Sequence, residues 1–305
     1  MILVLTINLA IDKVATVEKF QKGKENRIRI VSSLPGGKGA NVSRALRCLK
    51  EEVCLCGFIG GKNGEFIEEG LKREGIFPLL FPIEEENRVC LIVKESTGKV
   101  TEIYEIGPQV EEEIQEEFYS YFRGLWADFS WVVISGSLPP GFPDDYYAKL
   151  LKGRKGKRVF FDFYSLPLLK ALEEGAFLLK INEREFRRTF GGSDFLGKLK
   201  SLPHKFPIQH AVVTLGERGA IGTDGKRCFR VIPSYKAEVL CPVGAGDAFM
   251  GGLVHAFREG WDFKEAMIFG TATSVSNLGF WEGGRVDPLE VSKIIEGKAL
   301  KIEEL

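Results

Sequence analysis

Residues 131–181 read WVVISGSLPPGFPDDYYAKLLKGRKGKRVFFDFYSLPLLKALEEGAFLLKI, and their pattern decides the fold class. Three short apolar runs stand out: WVVISG (131–136), RVFFDF (158–163) and FLLKI (177–181). Each is short, apolar throughout and rich in β-forming residues, as strands buried on both faces are. Helical segments are expected between them, near 144–152 and 166–174. Strands alternating with helices argue for a parallel sheet covered on both sides. The same rhythm extends outward. ILVLTI (2–7), Val53–Phe58 and AVVTLG (211–216) read as further strands, and Ala40–Lys50 and Glu65–Glu74 as helices. The predicted class is α/β, with a central, mostly parallel sheet between helical layers.

Two parts break this rhythm. Residues 13–33 and 87–106 alternate apolar and polar side chains, which implies strands with one wet face. Glu95-Ser96-Thr97-Gly98-Lys99 is a hairpin turn in this reading. Together they predict a small, mostly antiparallel sheet projecting as a lid from one domain spanning 1–305. No repeat, low-complexity tract or interdomain linker interrupts the chain.

Composition narrows the classes. The 305 residues are 44% hydrophobic and 28% charged, with 42 basic against 42 acidic side chains. A net charge of zero gives no reason to expect nucleic acid or an anionic membrane as partner. An anionic substrate must then be caught by a local basic cluster. The six cysteines are scattered, and the closest pair, Cys54 and Cys56, lies in an apolar run, so they read as small hydrophobes. The opening MILVLTINLAID lacks the cationic start of a secretory leader, and no run approaches membrane-span length. A reducing cytoplasm is the expected setting.

Chemistry concentrates in Val243-Gly244-Ala245-Gly246-Asp247-Ala248-Phe249-Met250-Gly251-Gly252. Small residues let successive N–H groups point one way, and the following apolar run reads as a helix whose positive end faces the same spot. That suits a transferring phosphoryl group, with Asp247 placed to take a proton from an attacking hydroxyl. A dinucleotide loop is excluded because its third glycine would fall at Phe249. A structural turn with a capping aspartate is the plain alternative. Pro35-Gly36-Gly37-Lys38-Gly39-Ala40-Asn41-Val42 resembles a phosphate loop but has Gly39 where that loop needs Ser or Thr, and residues 57–63 (GFIGGKN) miss likewise. Gly36 and Gly37 would allow close backbone approach to a ligand, while Lys38 and Asn41 offer donors. Asn8-Leu9-Ala10-Ile11-Asp12 follows the first strand, where active-site groups of open α/β sheets collect.

With Ser135-Gly136-Ser137-Leu138-Pro139-Pro140-Gly141 added, the set resembles the ribokinase (PfkB) sugar-kinase family from residue 1 to about residue 290. The nearest branch comprises 1-phosphofructokinases, tagatose-6-phosphate kinases and minor 6-phosphofructokinases. The resemblance implies a ribokinase-like three-layer sandwich and ATP-dependent phosphorylation of a hexose phosphate, fructose 1-phosphate before the others. It casts Asp247 as catalytic base and Gly244, Ala245 and Gly246 as the anion hole. It assigns Asp12, Gly36, Gly37, Lys38, Asn41 and Ser137 to the sugar, and Arg88, Lys24 and Arg27 to its phosphate. Lys180, Asn182, Thr214, Gly216, Gly219, Gly246 and Asn277 fall to ATP, and Asn182 with Glu185 to the water shell of Mg2+. It implies a homodimer through the lid. Three departures stand: Ile181 replaces a proline, Cys241-Pro242-Val243 precedes the glycines, and Glu102 occupies a place where some minor 6-phosphofructokinases carry an arginine. Competing readings are a kinase for an unphosphorylated sugar or nucleoside and a sensor without turnover. An aspartate at a helix start is expected to have low proton affinity, so that positioning outweighs basicity.

Overall fold

β1 (Ile2–Leu5) is fully buried and has a parallel neighbour on each edge. On one side lie β4 (Val53–Ile59) and β5 (Phe77–Pro82); on the other, β8 (Trp131–Ser135), β9 (Arg158–Asp162), β10 (Ala176–Asn182) and β11 (Ile208–Thr214). The structure is a computed structural model describing residues 1–153, 156–234 and 238–305. Antiparallel strands β12 (Ala220–Thr223), β13 (Cys228–Pro233) and β14 (Leu300–Glu304) extend the sheet to ten strands.

Alternation along β1 sorts the two cores. Leu3 and Leu5 face a layer built from α3 (Glu112–Trp126), α4 (Tyr146–Leu151), α5 (Leu166–Glu174), α6 (Glu183–Phe190) and α7 (Phe195–Lys205). Ile2 and Val4 face α1 (Lys38–Cys48), α8 (Ala245–Arg258), α9 (Phe263–Asn277) and α10 (Pro288–Glu296). Each buried Leu, Ile or Phe contributes roughly 1.5–3 kcal/mol, so these layers hold the sheet rigid under whatever lies at its strand ends. From β1 the chain builds outward through β4 and β5, then returns to β8 on the other side of β1 and builds outward through β9, so the adjacent carboxyl ends of β1 and β8 form a topological switch point. Crevices for ligands form at such points.

A second sheet runs β3–β2–β6–β7, from β2 (Ala10–Val17), β3 (Arg29–Gly36), β6 (Arg88–Glu95) and β7 (Val100–Tyr104). Two of its pairings are antiparallel and the central one, β2 with β6, is parallel. The expected hairpin closes β6 onto β7, with Gly98 at φ 86°. The strand begins earlier than expected: Asp12 sits within β2, not in a loop after β1, because β2 already pairs at Ala10 with Gly36 and Arg88. The registers put Ala10, Asp12 and Val14 on one face with Arg88, Cys90 and Ile92, and with Tyr104 and Glu102. Val14 and Ile92 on this face pack on Cys241, Val243 and Trp281. On the reverse face, Ile11 and Val89 pack with Ile67 and Leu71 of α2 (Gly61–Arg73). Val14 and Val93 are buried, while Ile28, Ile30, Val31, Ile103, Tyr104 and Ile106 are exposed. Five of the six cysteines are buried and all are free thiols. Among the described residues no helix is long and apolar enough to cross a membrane.

Candidate active site

Asp247 lies in the first turn of α8, 7% exposed, with Gly244 as the cap residue at φ 88°. That conformation suits glycine, and a Cβ at 244 would stand 2.3 Å from the Gly283 Cα. The turn's amides are less uniformly open than the sequence suggests. Asp247 N–H donates to the Gly244 carbonyl at 3.0 Å and Ala245 N–H reaches Pro242 at 3.4 Å. The Gly246 amide has no acceptor among the described residues.

Around Asp247 lies a buried charge network. Asp162, at the end of β9 and 0% exposed, accepts from Lys180 Nζ at 2.7 Å and Lys38 Nζ at 3.0 Å. Lys38 Nζ also donates to Glu185 at 2.7 Å. Burial would raise the Asp162 pKa, but Lys180 and Lys38 outweigh it and hold this carboxyl ionised. Burial likewise opposes the Lys38 charge, yet Asp162, Glu185 and Asp247 keep it protonated. For Asp247 the balance is reversed. Burial, then the negative Asp162, push its pKa up to about 7, against the pull of Lys180, Lys38 and the Asn41 amide. The expectation of low proton affinity is thus corrected: burial and a like charge exceed the helix end and the cations.

Asn41 Nδ2 donates to Asp247 Oδ2 at 2.9 Å, and Asn41 Oδ1 accepts from Arg44. The sequence offers Asn41 to a ligand; the structure turns it inward, 4% exposed. Lys38 also differs, its ammonium being held between two carboxylates. Asp12 accepts from Gly37 N–H at 3.3 Å and lies so close to Gly36 that a Cβ there would meet Asp12 Cγ at 2.1 Å. Burial raises its pKa, opposed by Arg44, the Gly37 amide, Arg88 and Asn41. Among the described residues the Arg88 guanidinium gives one hydrogen bond, to the Asn8 carbonyl at 3.3 Å, and its buried Nε has no partner. Asn8 Nδ2 reaches Ser137 Oγ at 3.3 Å. Among the described residues, Thr6 Oγ1, Asn8 Oδ1 and Ser135 Oγ are also buried and unpaired around the carboxyl ends of β1 and β8. So many orphaned polar atoms mark a place built for a polar ligand or ordered water.

Asn182 caps α6, accepting from Glu185 N–H at 2.8 Å while Glu185 Oε2 accepts from Asn182 N–H at 3.0 Å. This reciprocal box is a local reason for the N-x-x-E spacing that sequence reasoning passed over. Thr214 ends β11, Gly216 opens a short 3-10 turn, and Gly219 follows it. Asn277 is fully buried; its Nδ2 braces the carbonyls of Glu282 and Arg285, while its Oδ1 has no partner among the described residues. Lys24 and Arg27 lie exposed between β2 and β3, Arg27 pairing with Glu25, and join none of the contacts above. Asp162 and Arg44 were not anticipated. Asp162 had a readable signal, a carboxylate closing an otherwise apolar strand at its carboxyl end.

A helix N-terminus, the buried Lys180, the half-buried Lys38 and a carboxylate with a pKa pushed up to about 7 suit a group transfer that develops negative charge. The chain belongs to the pfkB family of carbohydrate kinases, which it matches over residues 1–278. As a carbohydrate kinase it takes ATP as co-substrate. It is 32% identical over 284 residues to a tagatose-6-phosphate kinase of Staphylococcus epidermidis, covering 88% of this chain and 91% of that one. It is 25% identical over 300 residues to a 1-phosphofructokinase of Haemophilus influenzae, with 94% and 96% covered. Among solved structures, a possible 1-phosphofructokinase from Thermotoga maritima superposes with a TM-score of 0.89 at 26% identity, covering 100% of this chain and 99% of that one.

Proposed function

We propose that the protein transfers the γ-phosphoryl group of ATP to a primary hydroxyl of a hexose phosphate, with Asp247 as the base. The carrying observation is the Asp247 carboxyl, buried at the start of α8 with a pKa near 7 beside the Gly244–Gly246 turn. A group of that affinity exchanges a proton with an alcohol more readily than an ordinary aspartate. The Gly246 amide and Lys180 take the charge of the transferring group. Asp12 and Ser137 receive sugar hydroxyls against the close backbone of Gly36 and Gly37. Arg88, with its unpaired Nε, takes the phosphate already on the sugar. The Thr214–Gly219 turn lies along the ATP phosphates.

Mg2+ fits through water: each Glu185 oxygen shown bonded carries one hydrogen bond and retains a lone pair, and Asn182 Oδ1 likewise. The ion would neutralise charge on the ATP phosphates. The second sheet closes as a lid over the sugar, within a single catalytic domain, and its exposed Ile103, Tyr104 and Ile106 join two copies as a dimer. The setting is the cytoplasm.

Fructose 1-phosphate is the first substrate in this reading, in line with the Haemophilus relative. Tagatose 6-phosphate is the second, favoured by the higher identity to the Staphylococcus protein. A coupled assay across fructose 1-phosphate, tagatose 6-phosphate, fructose 6-phosphate, fructose and ribose separates them. Highest kcat/KM on fructose or ribose would remove the phosphate assignment, and no turnover on any would leave the sensor reading.

A further inference from the structure

Arg44, on α1, is 5% exposed and makes four contacts in different directions. Its Nε donates to Glu74 at 2.9 Å and Nη2 to the Pro35 carbonyl at 2.7 Å. Its Nη1 donates to the Gly283 carbonyl and to Asn41 Oδ1, the latter at 2.9 Å. A guanidinium has only donors. An asparagine amide has a donor end and an acceptor end of nearly equal size, so its orientation is decided by its partners. Facing Arg44, the acceptor end has no alternative. The donor end must then face Asp247, which it meets at 2.9 Å.

We infer that Arg44 is a positioning residue: by accepting no hydrogen bond, it forces Asn41 to donate to Asp247 Oδ2 and so leaves Oδ1 as the oxygen open to a substrate hydroxyl. The inference rests on Asp247 being the base. Arg44 also ties Gly283 to α1, and Gly283 backs the Gly244 turn. One side chain therefore sets both the base's rotamer and the wall behind its helix. The charged groups facing Asp247 are Asp162 on β9, Lys180 on β10 and Lys38 on α1; Arg44 acts through the neutral Asn41.

The test compares Arg44→Lys, Arg44→Gln and Asn41→Leu in the full-length protein, each alone and the Gln variant also combined with Asn41→Leu. Lysine presents only donors; glutamine can present either end, so the amide of Asn41 is free to flip. Arg44→Gln should lower kcat by about 10- to 100-fold with ATP KM little changed, as misplacement of a reacting group does. Its acid limb should move to higher pH, because Asp247 loses a fixed donor to its charged form. Arg44→Lys should restore most of both. In the Asn41→Leu background the glutamine change should add little, since the path through the amide is already cut. If Arg44→Gln fails to fold, Asn41→Leu alone must still move the acid limb upward. A fall in Tm with kcat and acid limb unchanged makes Arg44 purely structural and overturns the inference. The Asn41 side-chain amide resonance, followed against pH in wild type and Arg44→Lys, reads the contact without turnover. It should titrate with Asp247 even if every sugar phosphate proves inert, and its failure to titrate while turnover is intact defeats the inference alone.

Discussion

At the scale of single residues, Asp247 has a cost as well as a use. Its folded pKa of about 7 is above the ordinary 3.8. A carboxyl raised on folding stabilises the native state fully below pH 4 and loses that contribution as pH rises to about 7. The loss is on the order of 4 kcal/mol. Asp247→Asn should therefore keep the fold, melt higher than the parent at pH 8 with little difference at pH 4, and lose several orders of magnitude in turnover. Turnover within tenfold of the parent would remove Asp247 as base. Because the base must be ionised to accept a proton, kcat/KM should fall as pH drops below about 7. Asp162→Asn removes the like charge and should move that limb down, although kcat also drops as Lys38 and Lys180 lose their anchor; an unmoved limb would show that Asp162 does not tune Asp247. Arg88→Ala should raise KM for the sugar phosphate by roughly 30- to 160-fold, from about 2–3 kcal/mol of lost charge-assisted contact, and leave KM for ATP near its parent value. Equal effects on both would deny Arg88 its phosphate.

At the scale of elements, the strands of the large sheet were legible because strands buried on both faces carry short, β-branched and aromatic apolar runs set between helical segments. The boundaries of β4, β8, β9 and α5 fall within a residue of expectation. The start of β2 was not legible, because Ala10 is placed by its partners Gly36 and Arg88 and not by its own propensity. The chain of contacts from Arg44 through Asn41 to Asp247 spans separations of 3 and 206 residues, and the longer one leaves no periodic trace. Glu185 shows how one spacing can hold two meanings, the capping box that the structure shows and the proposed neighbour of the Mg2+ water shell. Glu185→Gln keeps an acceptor for the Asn182 N–H and should cost no more than about 1 kcal/mol of stability. Loss of its charge should raise the Mg2+ concentration for half-maximal rate severalfold, with KM for the sugar phosphate steady. An unaltered Mg2+ titration would confine Glu185 to capping α6 and steadying Lys38.

At the scale of the whole molecule, the small sheet leaves Ile103, Tyr104 and, at 83% exposure, Ile106 in solvent at one edge. An unpaired edge with apolar side chains favours a second copy. Light scattering at micromolar concentration should give twice the chain mass of 34.0 kDa, and a value near one chain would count against a dimer. The inner face of the same sheet is committed elsewhere. Val14 and Ile92 rest on Cys241, Val243 and Trp281, and Lys94 grips the Val239 carbonyl at 2.7 Å while lying over the Trp281 ring. Val239, Cys241 and Val243 lead directly into the Gly244 turn. The sheet proposed to take the sugar is thus seated on the segment leading to the proposed phosphoryl pocket, and in that reading the two ligands share one mechanical part. Thermodynamic linkage then demands reciprocity: if a bound sugar phosphate tightens a non-hydrolysable nucleotide by some factor, the nucleotide must tighten the sugar phosphate by the same factor. Factors of about 5- to 150-fold are usual for such coupling. Two calorimetric titrations in each direction would measure it, and a factor of one would mean that the seat transmits nothing.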